Sequence, residues 1–205
     1  MASSGGRTES KINHDRGTTM KSLRLVAAAG LAGAMALTGT AFAQAAPMSQ
    51  PQADVQVAAL VNPTDQIFLR RVHQGNLFEI AKGALAVEKG RCASVRRVGR
   101  VIARDHTRLD QRLRPVAERE RVSLPDTPTR AQQALLRDLQ SKSGTAFDRS
   151  WLQVQVTVHQ QTLKLIQQEL RRGQSPQVKQ VAREALPVVE KHLAQVRTAQ
   201  RVCRI

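Results

Sequence analysis

A chain of 205 residues with 41% apolar content can bury one core. With four Phe, one Trp and no Tyr it lacks the aromatics that sandwich strands favour, so interlocking helices suit its Leu, Val, Ile and Ala better. The formal net charge of +16 excludes little alone, since polyanion binding and plain solvated faces both produce it; no Gly-rich phosphate loop, metal-type Cys spacing or nucleophile elbow is present.

From Met20 the chain reads Met-Lys-Ser-Leu-Arg, then an apolar run, then a small-x-small ending at Ala41-Phe42-Ala43. This pattern predicts a secretory signal peptide cleaved after Ala43, with residues 1–19 as an upstream start or extended leader. A permanent anchor is the alternative, but residues 25–37 are short and rich in Ala and Gly. Residues 44–61 have the Gln, Ala, Pro and Ser composition of a flexible tether, and the folded domain is expected over 62–203. Beyond Ala43 the chain keeps 27 Lys and Arg against 14 Asp and Glu, and it is expected to be soluble outside the cytoplasmic membrane, secreted or in the cell envelope.

Asn62-Pro63-Thr64-Asp65 predicts a helix start, and Gly90 a left-handed turn ending that helix after Lys89. Its apolar series Phe68, Val72, Gly75 leads at steps of four and three to Glu79. A second helix is predicted over 94–121. There Val95, Val98, Ile102, Leu109, Leu113 and Val116 face inward, Asp105-His106 interrupt the stripe, and Pro115 should loosen the last turns. Arg96, Arg100, Arg104, Arg108 and Arg112 recur every four residues on its other side, a basic ridge suited to an anionic envelope polymer or a membrane surface. Nucleic acid is a poorer partner, because no aromatic residues interleave with the ridge to stack bases.

After a loop at 122–129 a short helix is predicted over 130–141, terminated by Gly144. Thr145 with Asp148 predicts a capping box for the third long helix, which ends near Arg172 and carries His159 in its apolar line. Ser175-Pro176 opens the last helix, where His192 fills the one vacancy in the series Val178, Ala182, Ala185, Val189, Val196, Ala199 and Pro187 predicts a kink.

At about 1.5 Å per residue, Glu79 and His106 lie roughly 15 and 20 Å from their shared end, and His159 and His192 also fall near mid-height. Four helices thus bring one polar group each to a common level, as internal metal sites of helix bundles do. Glu79, Asp105, His106, His159 and His192 are the candidate ligands, for zinc or iron. The plainer alternative is a hydrogen-bond network with no metal, which a lone His on an apolar face more often signifies.

These residues resemble the domain of unknown function 4142 family of exported bacterial proteins, placed in the ferritin-like superfamily. The marks are Phe68 and Glu79, Asp105-His106, Phe147-Asp148 and His159, and Leu186-Pro187 with His192-Leu193. The resemblance implies a ferritin-like four-helix bundle with a short extra helix in the crossover between the second and third long helices, and no assigned activity. Ferritins place Glu three before His on two helices; here those positions hold Ala103 and Val189, so ferroxidase chemistry is not carried over. With such a crossover Cys92 and Cys203 meet at one end and can pair; in a plain up-and-down bundle they would stand about 35–40 Å apart as free thiols. The functional expectation is a non-enzymatic envelope or secreted protein, with metal or redox binding and anion binding as alternatives.

Overall fold

The computed structural model of the protein describes residues 61–205. The expected signal peptide, and the expected tether up to residue 60, lie outside the described residues. Among the described residues there are five helices and no strand: α1 Pro63–Lys89, α2 Ala93–Arg119, α3 Arg130–Gln140, α4 Gly144–Arg172 and α5 Pro176–Cys203. None of them is long and apolar enough to cross a membrane.

The start of α1 is set locally. Asp65 N donates to Asn62 Oδ1 (2.9 Å), Asn62 N donates back to Asp65 Oδ2 (2.8 Å), and Pro63 occupies the first turn. Gly90 ends α1 without the expected left-handed turn, at φ −61°. Its lack of a side chain serves space instead, since a Cβ there would fall 2.5 Å from the Ala86 carbonyl oxygen. The left-handed glycine is Gly144, φ +58°, at the start of α4. Helices α2 and α5 continue past Pro115 and Pro187, so neither proline ends its helix.

The direction of each helix follows from which ends touch. Asp65 accepts from Gln174 N (3.0 Å) and Ser175 N (3.2 Å) in the α4–α5 turn, and Ser175 Oγ donates to Glu120 at the end of α2. At the opposite end Asp148, one turn into α4, accepts from Arg91 N (3.1 Å) and Cys92 N (2.8 Å) between α1 and α2. There Cys92 is disulfide-bonded to Cys203, the last residue of α5. Asp148 therefore forms no capping box with Thr145: Ser143 is the α4 cap, and the carboxylate serves orphan donors at the start of α2, where Cys92 supplies no side-chain cap.

It follows that α2 finishes at the end opposite to the start of α4. The connecting chain, α3 included, returns along α1. Arg70 Nε donates to the Ser123 carbonyl (3.1 Å), Gln74 Nε2 to that of Thr127 (3.0 Å), and Lys89 Nζ to that of Gln140. The four long helices pack in a closed cycle, α1 on α2 and α4, α5 on α4 and α2. Their buried apolar side chains form two separate clusters. One, towards the α4–α5 turn, includes Phe68, Val72, Leu113, Ile166 and Val178. The other, towards the disulfide, includes Ala86, Ile102, Phe147, Trp151 and Val196.

The α4–α5 corner holds a carboxyl pair. Glu169 is fully buried beside Asp65, and burial first, then the Asp65 carboxylate, push its carboxyl up to about 8. A folded value above the ordinary 4.5 means that this proton's stabilisation is complete below pH 4.5 and is lost as pH rises through 8. Glu169→Gln cannot titrate yet keeps a donor for Asp65. In urea melts it should match the wild type at pH 5 and exceed it by about 1–2 kcal/mol at pH 9; an equal difference at both pH values would show that the pair does not titrate in this range.

Candidate metal centre

Between the two apolar clusters lies a polar level to which each long helix contributes one side chain: Glu79 from α1, His106 from α2, His159 from α4 and His192 from α5, all buried. The imidazole centroids are 5.9 Å (His106–His159), 5.3 Å (His106–His192) and 5.5 Å (His159–His192) apart. One ring nitrogen of each lies within 4.8 Å of the others. Metal bonds of 2.0–2.1 Å in tetrahedral geometry need about 3.4 Å between nitrogens, a difference that small ring rotations close.

One nitrogen of each ring faces an acceptor. His106 Nδ1 donates to Asn76 Oδ1 (2.9 Å), His159 Nδ1 to the Gln155 carbonyl (3.0 Å) and His192 Nε2 to Asp105 Oδ2 (3.1 Å). The Asn76 amide is oriented by Asp110, to whose Oδ1 its Nδ2 donates at 3.4 Å. These bonds place the proton on the named nitrogens and leave His106 Nε2, His159 Nε2 and His192 Nδ1 as lone pairs. All three are buried and have no partner. Metal-binding imidazoles are held in this way, through the nitrogen that does not bind the metal.

Electrostatics keeps those lone pairs free. Burial lowers His106 to about 3 and His159 to about 4 against the opposing pull of Glu79, and it lowers His192 despite Asp105. At neutral pH the three rings are uncharged. Burial alone would raise Glu79, but Lys82, with the imidazoles behind it, holds its carboxyl at about 2. Lys82 is itself fully buried, its Nζ 3.0 Å from Glu79 Oε1 and 4.4 Å from the centre of the Phe78 ring. Burial lowers Lys82 and Glu79 raises it back in part. Glu79 Oε1 is also 3.8 Å from His159 Nδ1, while its Oε2 is buried and unpartnered.

The residues singled out from the sequence separate into groups. His106, His159 and His192 come together, with Glu79 against them. Asp105 does not join them as a ligand. It stands behind His192, partly exposed and paired with Arg104 (2.8 Å), because consecutive helix positions point about 100° apart and only His106 faces inward. The arginine ridge is not one free surface. Arg96 turns back to the Gly90 and Arg91 carbonyls, Arg104 holds Asp105 and Arg112 holds Glu184, while Arg100 and Arg108 are exposed. Arg104, Arg108, Arg112 and Lys191 border a groove of ≈ 410 Å³ with Asp105 in its wall.

Sequence reasoning missed Asn76, Lys82, Asp110 and Gln155, and with them His73, whose Nδ1 donates to Asp110 Oδ1 at 2.6 Å. A signal was available: Asn76 and Lys82 lie three residues either side of Glu79, Asp110 four after His106, and Gln155 four before His159. Each is one turn from a residue of the polar level, on the same helix face.

An all-helical protein with three convergent, outwardly anchored imidazoles at its centre is the class these observations define. The chain belongs to the family described as Domain of unknown function (DUF4142), whose model matches residues 46–199. No curated protein and no solved structure matches the chain.

Proposed function

We propose that this chain is an exported, ferritin-like four-helix bundle protein that binds one first-row divalent transition metal through His106, His159 and His192, with Glu79 as the adjacent negative charge. The observation that carries the reading is the set of three buried imidazole lone pairs without partners, each ring fixed from behind by Asn76, Gln155 or Asp105. A closed hydrogen-bond network would have used those nitrogens. Leaving three of them empty in the interior costs about 1–3 kcal/mol each, which a metal bond offsets.

Neutral imidazoles suit Zn²⁺, Co²⁺ and Fe²⁺, while Mg²⁺ and Ca²⁺ prefer oxygen. The carboxylate bridges of a di-iron centre are absent, with Ala103 and Val189 where such Glu residues would stand. The bundle assignment is supported by the closed cycle of long helices and by the return of the chain along α1 between α2 and α4. Export is supported by the leader ending at Ala41-Phe42-Ala43 and by a disulfide, a bond that persists outside the reducing cytosol.

The test uses protein expressed from the full chain without a His tag. Elemental analysis should find about one zinc or iron per chain, and added Zn²⁺, but not Mg²⁺, should raise the melting temperature of stripped protein. His159→Gln should abolish both while keeping the helical circular dichroism. Absence of bound metal together with no thermal gain from Zn²⁺ or Co²⁺ would defeat the reading, and a recovered chain that does not begin near Gln44 would remove its exported part.

A further inference from the structure

The polar interior does not stop at the metal level. One turn towards the disulfide lie Lys82 on α1, Gln155 on α4 and Gln195 on α5, while α2 supplies only Ile102 there. Three contacts fix Lys82 in this layer and join it to the imidazoles. Trp151 Nε1 donates to the Lys82 carbonyl at 3.0 Å, and the His159 ring and Lys82 Nζ both lie against Glu79 Oε1. Gln155 is fully buried, yet neither its Nε2 nor its Oε1 has a partner, and Gln195 Oε1 is likewise buried and unsatisfied. A buried primary amide with nothing to bond is rare, because both ends lose their water without replacement.

Charge bookkeeping points the same way. Three neutral imidazoles, the Glu79 carboxylate and the Lys82 ammonium sum to zero, so a dication on the imidazoles leaves two positive charges among fully or nearly fully buried side chains. Such a charge is stable inside a protein only beside a counter-charge. Three imidazoles also leave at least one coordination position open.

Resting on the metal reading above, we propose that Lys82 and Gln155 form a seat for a small monovalent anion, of the formate, azide or hydroxide class, bound at the open position of the metal. Lys82 Nζ supplies charge and a donor, and Gln155 Nε2 a second donor. Gln195 lines a groove of ≈ 370 Å³ between α2 and α5, bordered by Arg97 and Lys191, so an anion arriving from that side meets positive charge. No reaction is implied; the assignment is of a co-ligand site.

Cobalt(II) tests this on the full-length protein, because its visible bands report the ligands around the ion. Titrating azide or formate into the Co²⁺-loaded wild type should change those bands saturably. Gln155→Leu, which removes the unpartnered amide and should not harm folding, and Lys82→Met should both keep Co²⁺ while weakening the anion by about tenfold or more. Unchanged bands in the Co²⁺-loaded wild type, or equal anion affinity in wild type and Gln155→Leu, would overturn the anion seat and leave the metal site standing. Failure to develop cobalt bands at all would instead count against the metal site itself.

Discussion

Replacing Cys92 and Cys203 together by serine should lower the stability of the folded domain by about 2–4 kcal/mol, seen as a melting temperature lower by about 5–15 °C. The bond closes a loop of sequence separation 111, spanning α2 to α5, and constraint of so long an unfolded loop is worth up to about 5 kcal/mol in the chain-entropy account. The native state also gains, because Cys203 is the last residue of α5 and the next-to-last, Val202, is 59% exposed. Packing alone holds that turn weakly, and it should fray once released. The histidine level should not notice: His106 is about 21 Å along α2 from Cys92, and His192 about 16 Å along α5 from Cys203. The double serine variant should therefore bind Zn²⁺ as the wild type does while melting earlier. A loss below about 1 kcal/mol would show that the cluster around Trp151 and Val196 holds the two termini unaided.

Where a helix start was satisfied by its own residues, the sequence was enough to find it. Asn62 and Asp65 cap each other, so α1 begins where pattern places it. Where the partner was distant, the same reasoning failed. Asp148 has the spacing of a capping box with Thr145, but its carboxylate meets two backbone donors 56 and 57 residues earlier in the chain, a competition that only the packed structure decides. Gly90 is similar: the residue marks the helix end, but it does so at φ −61°, where a Cβ would meet Ala86 and Val95, rather than in a left-handed turn.

The centre shows the same division. Each His was legible because it replaced an apolar residue in a periodic series, and the meeting of three of them followed from helix geometry. Lys82 was harder to read, since a lysine in an amphipathic helix is almost always solvated, and only its place one turn from Glu79 marks this one as fully buried. Asn76 and Gln155 are ordinary polar residues until the rings they hold are known to converge. Asp105 and His106 were equally plausible ligands from adjacent positions; only the rotation of α2 chose between them.

The largest single-residue effect should come from Glu79. Glu79→Ala leaves the Lys82 ammonium buried with no counter-charge, which typically costs about 3–5 kcal/mol, whereas Glu79→Leu with Lys82→Met removes both charges and should cost much less, about 1 kcal/mol or below. Lys82→Met alone strands the Glu79 carboxylate and should also be costly in the metal-free protein. Here zinc makes the variants diverge. A dication on the three imidazoles replaces Lys82 as the neighbour of Glu79, so Zn²⁺ should restore Lys82→Met further than it stabilises the wild type. It should restore Glu79→Ala least, because there the metal adds positive charge beside an unpaired lysine. Urea unfolding of the four proteins with and without Zn²⁺ gives both the pair coupling and its dependence on metal. Equal zinc stabilisation in all four would mean that the ion binds too far from Glu79 for the carboxylate to act as its counter-charge, and the buried pair would then be a structural feature of α1 alone.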